Sequence, residues 1–238
     1  MNGDTVRLKF FRLPPLLEFT LIISISLGYF IISSFQWATI DPNGPTVLTY
    51  GDSQVMQIIY YELIMLVLVI SILKWQGRLF SNFGLSFSVD KITTGLILFI
   101  VNYLLYVLLF RLFGNFILGL NLLNGASAES ISYSIHISAV PLILYSIFNP
   151  LFEELILVGY VVTAIRKKYG LISCLILSAG FRLSFHLYQG PIILLSILPM
   201  GIIFTIYFWH KRSILPLIIA HGLMDFLSFF VFMQMEGN

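Results

Sequence analysis

The hydrophobic residues of this chain form long runs, and most of its polar residues lie between them. A helix of about 18 apolar residues is long enough to cross a hydrocarbon core of about 30 Å. Runs of about this length or longer occupy residues 13–35, 55–75, 92–112, 131–165, 171–187, 192–209 and 214–233. The pattern predicts an all-α fold, a polytopic bundle of about seven transmembrane helices. Composition agrees, because 58% of the residues are hydrophobic and only 10% are charged, unlike a soluble domain.

The fourth run is longer than one membrane crossing requires, since about 35 helical residues extend over about 50 Å. Basic residues indicate how it is used, because cytoplasmic loops collect Lys and Arg. Basic clusters lie at residues 7–12, 74–91, 166–168 and 211–212, and one crossing by the fourth run puts all of them on the same side. We therefore predict one long fourth helix that is kinked at Pro150, a cytoplasmic N-terminus and an external C-terminus.

Several ionisable residues lie inside the runs, where a charge is costly and a functional role is the default hypothesis. A helical rise of about 1.5 Å per residue brings them to a similar depth, and residues four apart share one helix face. The set is Glu153 and Glu154 in the fourth run, Arg182 and His186 in the fifth, and His221 and Asp225 in the seventh. Glu18 and Glu62 stand alone in their runs and are not assigned to this set.

Three sequence elements around these residues resemble those of a known family. "FEELILVG", "FRLSFHLYQG" and "AHGLMDF" are similar, in order and spacing, to the EExxxRG, FxxxH and HxxxN/D elements of the CPBP intramembrane proteases, also called the Abi family. This family includes type II CAAX prenyl endopeptidases and proteins linked to bacteriocin processing and immunity. The resemblance covers about residues 145–230. It implies a catalytic helical core at 131–238, N-terminal membrane helices without a recognised motif at 1–130, and an integral protein of the bacterial plasma membrane.

Two positions depart from the family pattern. The motif Arg is Val158 here, and the aromatic residue four before the second-element His is Arg182. Because Arg182 and His186 share a helix face, we predict that Arg182 supplies to Glu154 the positive charge that the fourth helix lacks. The third element ends in Asp225 where many relatives have Asn.

The resemblance implies peptide-bond hydrolysis by an activated water. In this interpretation Glu153 is the general base, Glu154 is held ionised by Arg182, and His186 holds or polarises the water. His221 with Asp225 would stabilise the tetrahedral intermediate. A second version binds a divalent metal such as zinc through His186, His221 and Glu153, and the ion activates the water. The sequence leaves both versions open.

The implied partners are the lipid bilayer and a membrane-associated protein or peptide substrate, including prenylated peptides. Substrate selection would lie in the helices or in the outer loops, 36–54 and 113–130. A net charge of +2 gives no indication of nucleic-acid binding. The competing hypothesis is a non-hydrolytic membrane protein that binds a partner, confers bacteriocin immunity or relays protons through the same buried groups.

Overall fold

The computed structural model describes residues 12–39, 46–77, 83–123 and 131–236. Within these ranges the α-helices are α1 (Pro15–Ala38), α2 (Asp52–Trp75), α3 (Val89–Leu123), α4 (Ala139–Glu154), α5 (Val161–Ser184), α6 (Ile193–Lys211) and α7 (Leu215–Glu236). A π-helix, Leu155–Tyr160, joins α4 to α5, and a short 3-10 helix, Leu187–Gln189, follows α5. Two strands, β1 (Thr46–Gly51) and β2 (Ile131–His136), complete the described elements.

Six helical segments of the described chain are long and apolar enough to cross a membrane, and the longest runs from Ala139 to Ser184. This segment reverses direction, because Arg182 contacts Glu154, 28 residues earlier, whereas a straight helix would separate them by about 42 Å. The reversal lies at Gly170, whose φ of +76° is accessible to glycine without steric cost. The segment therefore consists of two antiparallel arms, and the predicted bundle of about seven helices is confirmed.

The predicted long fourth helix is also confirmed, with a different start. It runs from Ala139 through α4, the π-helix and the first part of α5 to the break at Gly170, a length of about 45 Å. Pro150 lies inside α4, and the departures from α-helical geometry come later, in the π-helix and at Gly170.

Two predictions about the outer segments are wrong. Residues 131–136, which we assigned to the fourth helix, form β2, and β2 pairs in parallel with β1 from Thr46 opposite Ile131 to Gly51 opposite His136. Residues 113–123, which we assigned to an outer loop, continue α3, and residues 124–130 lie outside the described ranges. We predicted a boundary at residue 130 between the N-terminal helices and the catalytic core. β1 and β2 lie on opposite sides of this boundary and pair with each other, and the boundary itself stays a prediction.

The two strands lead directly into α2 and α4 and place the starts of these helices side by side. The Asp52 carboxylate, at the start of α2, accepts hydrogen bonds of 2.7 Å from the backbone N–H and the hydroxyl of Ser138, which precedes α4. These bonds join the chain across 86 residues. α2 and α4 therefore begin at the same level and pack against each other along the bundle.

The π-helix lies in the centre of the bundle. All of its side chains are buried, including Leu157 and Val158 at 0% exposure, as expected of a helix that is apolar on every side. They belong to the main hydrophobic cluster, together with buried residues of α1, α2, α5, α6 and α7. α3 touches this cluster through the partly buried Leu98 and Phe99 and has large hydrophobic side chains exposed along its length, so its exposed side faces lipid in a membrane.

Candidate active site

The two adjacent glutamates lie at the end of α4, at the point where the π-helix begins. Consecutive residues of a helix point about 100° apart, so the two carboxylates leave α4 in different directions. The Glu154 side chain is fully buried, and the Glu153 side chain retains 9% exposure. Glu154 therefore lies behind Glu153, and Glu153 is the carboxylate that a substrate or water can approach.

Arg182, on the second arm of α5, bridges both carboxylates. Its Nη2 donates to Glu154 Oε1 at 2.7 Å, and its Nη1 donates to Glu153 Oε2 at 3.1 Å. The predicted contact between Arg182 and Glu154 is thus present, and the contact with Glu153 adds to it. Arg182 is fully buried, and a guanidinium in such a place is stable only when it is paired and hydrogen-bonded. Val158, at the family Arg position, packs in the apolar core instead.

His221 connects the glutamate pair to α7. Its Nδ1 donates to Glu154 Oε1 at 2.7 Å, and its Nε2 lies 3.4 Å from Asp225 Oδ1, one turn further along α7. Glu154 Oε1 therefore accepts from both Arg182 and His221. Both ring nitrogens of His221 face carboxylate oxygens, an arrangement that an imidazolium ion fits.

Asn149 is a site residue that the sequence analysis missed. It is buried in α4, and its Nδ2 donates to Asp225 Oδ2 at 2.8 Å. Helical spacing could have identified it, because Asn149 precedes Glu153 by four residues and shares its face. A chain of contacts now runs from Asn149 through Asp225, His221, Glu154 and Arg182 to Glu153.

A close approach of two backbones positions α7 against α4. Pro150 has no N–H, so the carbonyl of Ser146 loses the donor that an α-helix normally provides four residues later. Gly222 of α7 packs against this carbonyl, and a Cβ atom at position 222 would lie 2.3 Å from the Ser146 oxygen. Only glycine permits this approach, which sets the neighbouring His221 within reach of Glu154.

His186 lies at the end of the same arm as Arg182 and joins the site through the backbone. Its Nδ1 donates to the Arg182 carbonyl oxygen at 2.9 Å, since a carbonyl can only accept. The ring also lies against Phe185, with centroids 4.6 Å apart. In the neutral ring this hydrogen bond leaves the lone pair on Nε2, and Nε2 forms no hydrogen bond with the residues that the structure describes.

Glu62 of α2 lies close enough to the site to interact electrostatically with Glu153, Asp225 and His221. The sequence analysis did not assign Glu62 to the site. It is 2% exposed, and its Oε2 has no hydrogen-bond partner in the described part of the chain. The signal in the sequence is its place in the buried stripe of α2, which is otherwise apolar: Val55, Ile59, Glu62, Leu66, Val69 and Leu73.

Three possible metal ligands come together in the described chain. One ligand atom from each of Glu153, Glu154 and His221 lies within 4.8 Å of the others; His186, which we predicted as a ligand, is not in this group. The hydrogen bonds above use only some of the available atoms: one oxygen of each carboxylate accepts from Arg182, and each nitrogen of His221 faces an oxygen. Glu154 Oε2 has no hydrogen-bond partner in the described part of the chain, and the second oxygen of Glu153 forms no hydrogen bond there either. The two carboxylates could therefore hold a metal ion beside the guanidinium, and His221 could join them as a ligand only if one of its nitrogens turned a lone pair toward the ion.

Comparison with models of known protein families gives one match. The model of the type II CAAX prenyl endopeptidase Rce1-like family matches residues 135–227. This range contains all six residues that we singled out, as well as Asn149. Searches of curated proteins and of solved structures find no match.

Proposed function

The match over residues 135–227 supports assignment of the chain to the CPBP/CAAX protease family, and on this premise we propose that it is an intramembrane endopeptidase. The observation that carries the proposal is the buried network in which Arg182 holds two adjacent carboxylates and His221 holds one of them. Ion pairs of this kind are costly to bury and contribute little net stability, so their presence favours a functional role.

Glu153 is the general base. Its Oε2 accepts from Arg182, whereas its Oε1 forms no hydrogen bond with any residue that the structure describes. A water at Oε1 would lose a proton to Glu153 as its oxygen attacks the peptide carbonyl carbon. Glu153 later gives this proton to the leaving nitrogen as the C–N bond breaks.

Glu154 and Arg182 keep the base in place. Glu154 accepts two hydrogen bonds of 2.7 Å from cationic groups, so it remains an ion and is not free to take a proton from water. The Arg182 guanidinium spans both carboxylates and fixes the orientation of Glu153 Oε2. His186, whose Nε2 carries a lone pair, accepts a hydrogen bond from the attacking water and orients it.

The expected substrate is a peptide or protein that resides at the membrane. Six helical segments of the described chain are long and apolar enough to cross a membrane, which supports a site within the bilayer, and the matching family is described as a prenyl endopeptidase. A peptide that ends in a prenylated CAAX sequence is therefore the first substrate class to test. The lipid chain would anchor such a substrate in the bilayer beside the helices.

Purified protein in lipid nanodiscs, incubated with quenched fluorogenic peptides with and without a farnesylated cysteine, tests the proposal. We expect turnover by the wild type, and we expect Glu153→Gln and His186→Ala to lower kcat by about 10²–10⁴-fold. His210→Ala, at an exposed histidine near the end of α6, is the matched control and should retain full activity. If the wild type shows no turnover that Glu153→Gln abolishes, partner binding or proton relay becomes the better account.

A further inference from the structure

We infer that Asn149 is a further catalytic residue, whose second amide N–H donates to the oxyanion of the tetrahedral intermediate. The inference rests on the proposed peptidase function and adds a donor to the role that the sequence analysis gave to His221 with Asp225. It starts from the hydrogen bond of 2.8 Å between Asn149 Nδ2 and Asp225 Oδ2.

This hydrogen bond fixes the Asn149 amide with one donor unused. An Asn side chain has two N–H groups, and Asp225 occupies one of them. The second N–H forms no hydrogen bond with the residues that the structure describes. Asn149 itself is 5% exposed, so its side chain has little freedom to turn away. The result is a donor that is held in place before a substrate arrives, which is the property that oxyanion stabilisation requires.

The position of Asn149 also fits the reaction. Residues 149 and 153 are four apart in α4, and side chains at this spacing lie about 5–6 Å from each other at Cβ on one helix face. A carbonyl group between them would present its carbon to a water on Glu153 and its oxygen to the Asn149 amide. When the water oxygen bonds to carbon, the carbonyl π electrons move to oxygen and Asn149 stabilises the charge. When the C–N bond breaks, the carbonyl re-forms and the hydrogen bond weakens.

The other donors of the network are engaged or less accessible than the Asn149 amide. Both ring nitrogens of His221 face carboxylates, and both terminal nitrogens of Arg182 bond to the glutamates. Arg182 Nε has no hydrogen-bond partner in the described part of the chain, but Arg182 is fully buried, whereas Asn149 is 5% exposed. The Asp225 carboxylate would repel an oxyanion, and His186 has its Nδ1–H on the Arg182 carbonyl. The Tyr145 hydroxyl, one turn before Asn149, is a rival donor, since it interacts electrostatically with Glu153 and Asp225.

Steady-state kinetics on the best-cleaved fluorogenic peptide, together with a phosphinic analogue of its tetrahedral intermediate, tests the inference. We expect Asn149→Ala to lower kcat by about 10²–10³-fold with KM within about twofold, and the affinity for the analogue should fall by the same factor as kcat/KM. Asn149→Ser is the second variant, because its single hydroxyl donor can satisfy Asp225 and leaves none for the oxyanion. It should lose activity similarly while its thermal stability stays nearer the wild type.

The matched control is Asn102→Ala, which removes a buried amide from α3 that donates to its own helix at the Leu98 carbonyl. It should leave kcat unchanged. The inference is overturned if Asn149→Ala keeps its affinity for the analogue, if Asn149→Ser retains wild-type kcat, or if Tyr145→Phe alone reproduces the loss. Failure of the wild type to cleave any peptide would instead remove the proposed function.

Discussion

α3 and α4 each contain a buried asparagine, Asn102 and Asn149, and the two side chains bond in opposite ways. In α3 the Asn102 amide donates to Leu98, four residues earlier in the same helix, and large hydrophobic residues around it face outward. In α4 the Asn149 amide donates across to Asp225 of α7, and Glu153 and Glu154 reach Arg182 of α5. A polar group that is satisfied within its own helix leaves that helix free to pack anywhere, whereas a group satisfied by a neighbour fixes the arrangement of two helices.

Removal of Arg182 should have the largest effect, because it leaves two carboxylates in an apolar core without their guanidinium. We expect Arg182→Met to abolish peptide cleavage and to destabilise the protein by about 3–5 kcal/mol. Thermal unfolding in nanodiscs and the cleavage assay measure both effects. In a double-mutant cycle with Glu154→Gln, the two losses should be strongly non-additive. Additive losses would mean that the contact seen at 2.7 Å does not couple the two residues.

Gly222→Ala should be next in size, since the new Cβ would lie 2.3 Å from the Ser146 oxygen and must push α7 away from α4. We expect a destabilisation of about 1–3 kcal/mol and a loss of activity, because His221 would move away from Glu154. Gly28→Ala in α1 is the control, as a Cβ there meets nothing within 4 Å. Comparable unfolding temperatures for the two variants would contradict the proposed close approach.

Glu62 can be compared with Glu154, because its Oε2 has no hydrogen-bond partner in the part of the chain that the structure describes, whereas Glu154 is paired with Arg182. An acid buried without a bonded cation favours its neutral form, which glutamine imitates in shape and polarity. We therefore expect Glu62→Gln to change the free energy of unfolding by less than about 1 kcal/mol. The same substitution at Glu154 should cost more, because it leaves Arg182 without one partner. Thermal unfolding of the two variants, made side by side, decides the point, and a larger loss at position 62 would show that Glu62 is ionised.

The smallest effect should come from Asn102→Leu in α3. Its hydrogen bond closes within one helix, and interactions of single polar groups in membrane helices contribute about 0.6 kcal/mol on average. We expect a change of that size or less in the free energy of unfolding and no change in cleavage. A large loss of activity would show that α3 takes part in the site, and the contrast drawn here between α3 and α4 would fail.

Much of the fold follows from the apolar runs, because a membrane requires long continuous helices and leaves few alternatives. The contact of Arg182 with Glu154 could be predicted since a buried acid needs a cation and Arg182 shares a helix face with His186. Residues 131–136, "ISYSIH", alternate apolar and polar residues in the manner of a strand. We included them in the fourth helix because they directly precede a long apolar run.

The remaining features depend on three-dimensional packing that no single run shows. Asn149 reaches Asp225 only because Gly222 lets α7 approach α4. Nothing in the spacing of "FNPLFEE" reveals that approach. Glu62 is isolated in sequence, and only the packing of α2 against α4 brings it near Glu153. The π-helix of "LILVGY" has no periodic signature, since every one of its residues is apolar or small and all are buried.

That π-helix gives the chain an unusual tolerance to a change in length. A π-turn holds one residue more than the α-helical turn it replaces, so deletion of one residue from Leu155–Tyr160 can restore an ordinary α-helix without altering the direction in which the flanking helices face. A deletion of one residue earlier in α4 has no such compensation and turns the Glu153 side chain by about 100° relative to the residues before the deletion. A scan of single-residue deletions should therefore find its most permissive stretch immediately after Glu153 and Glu154.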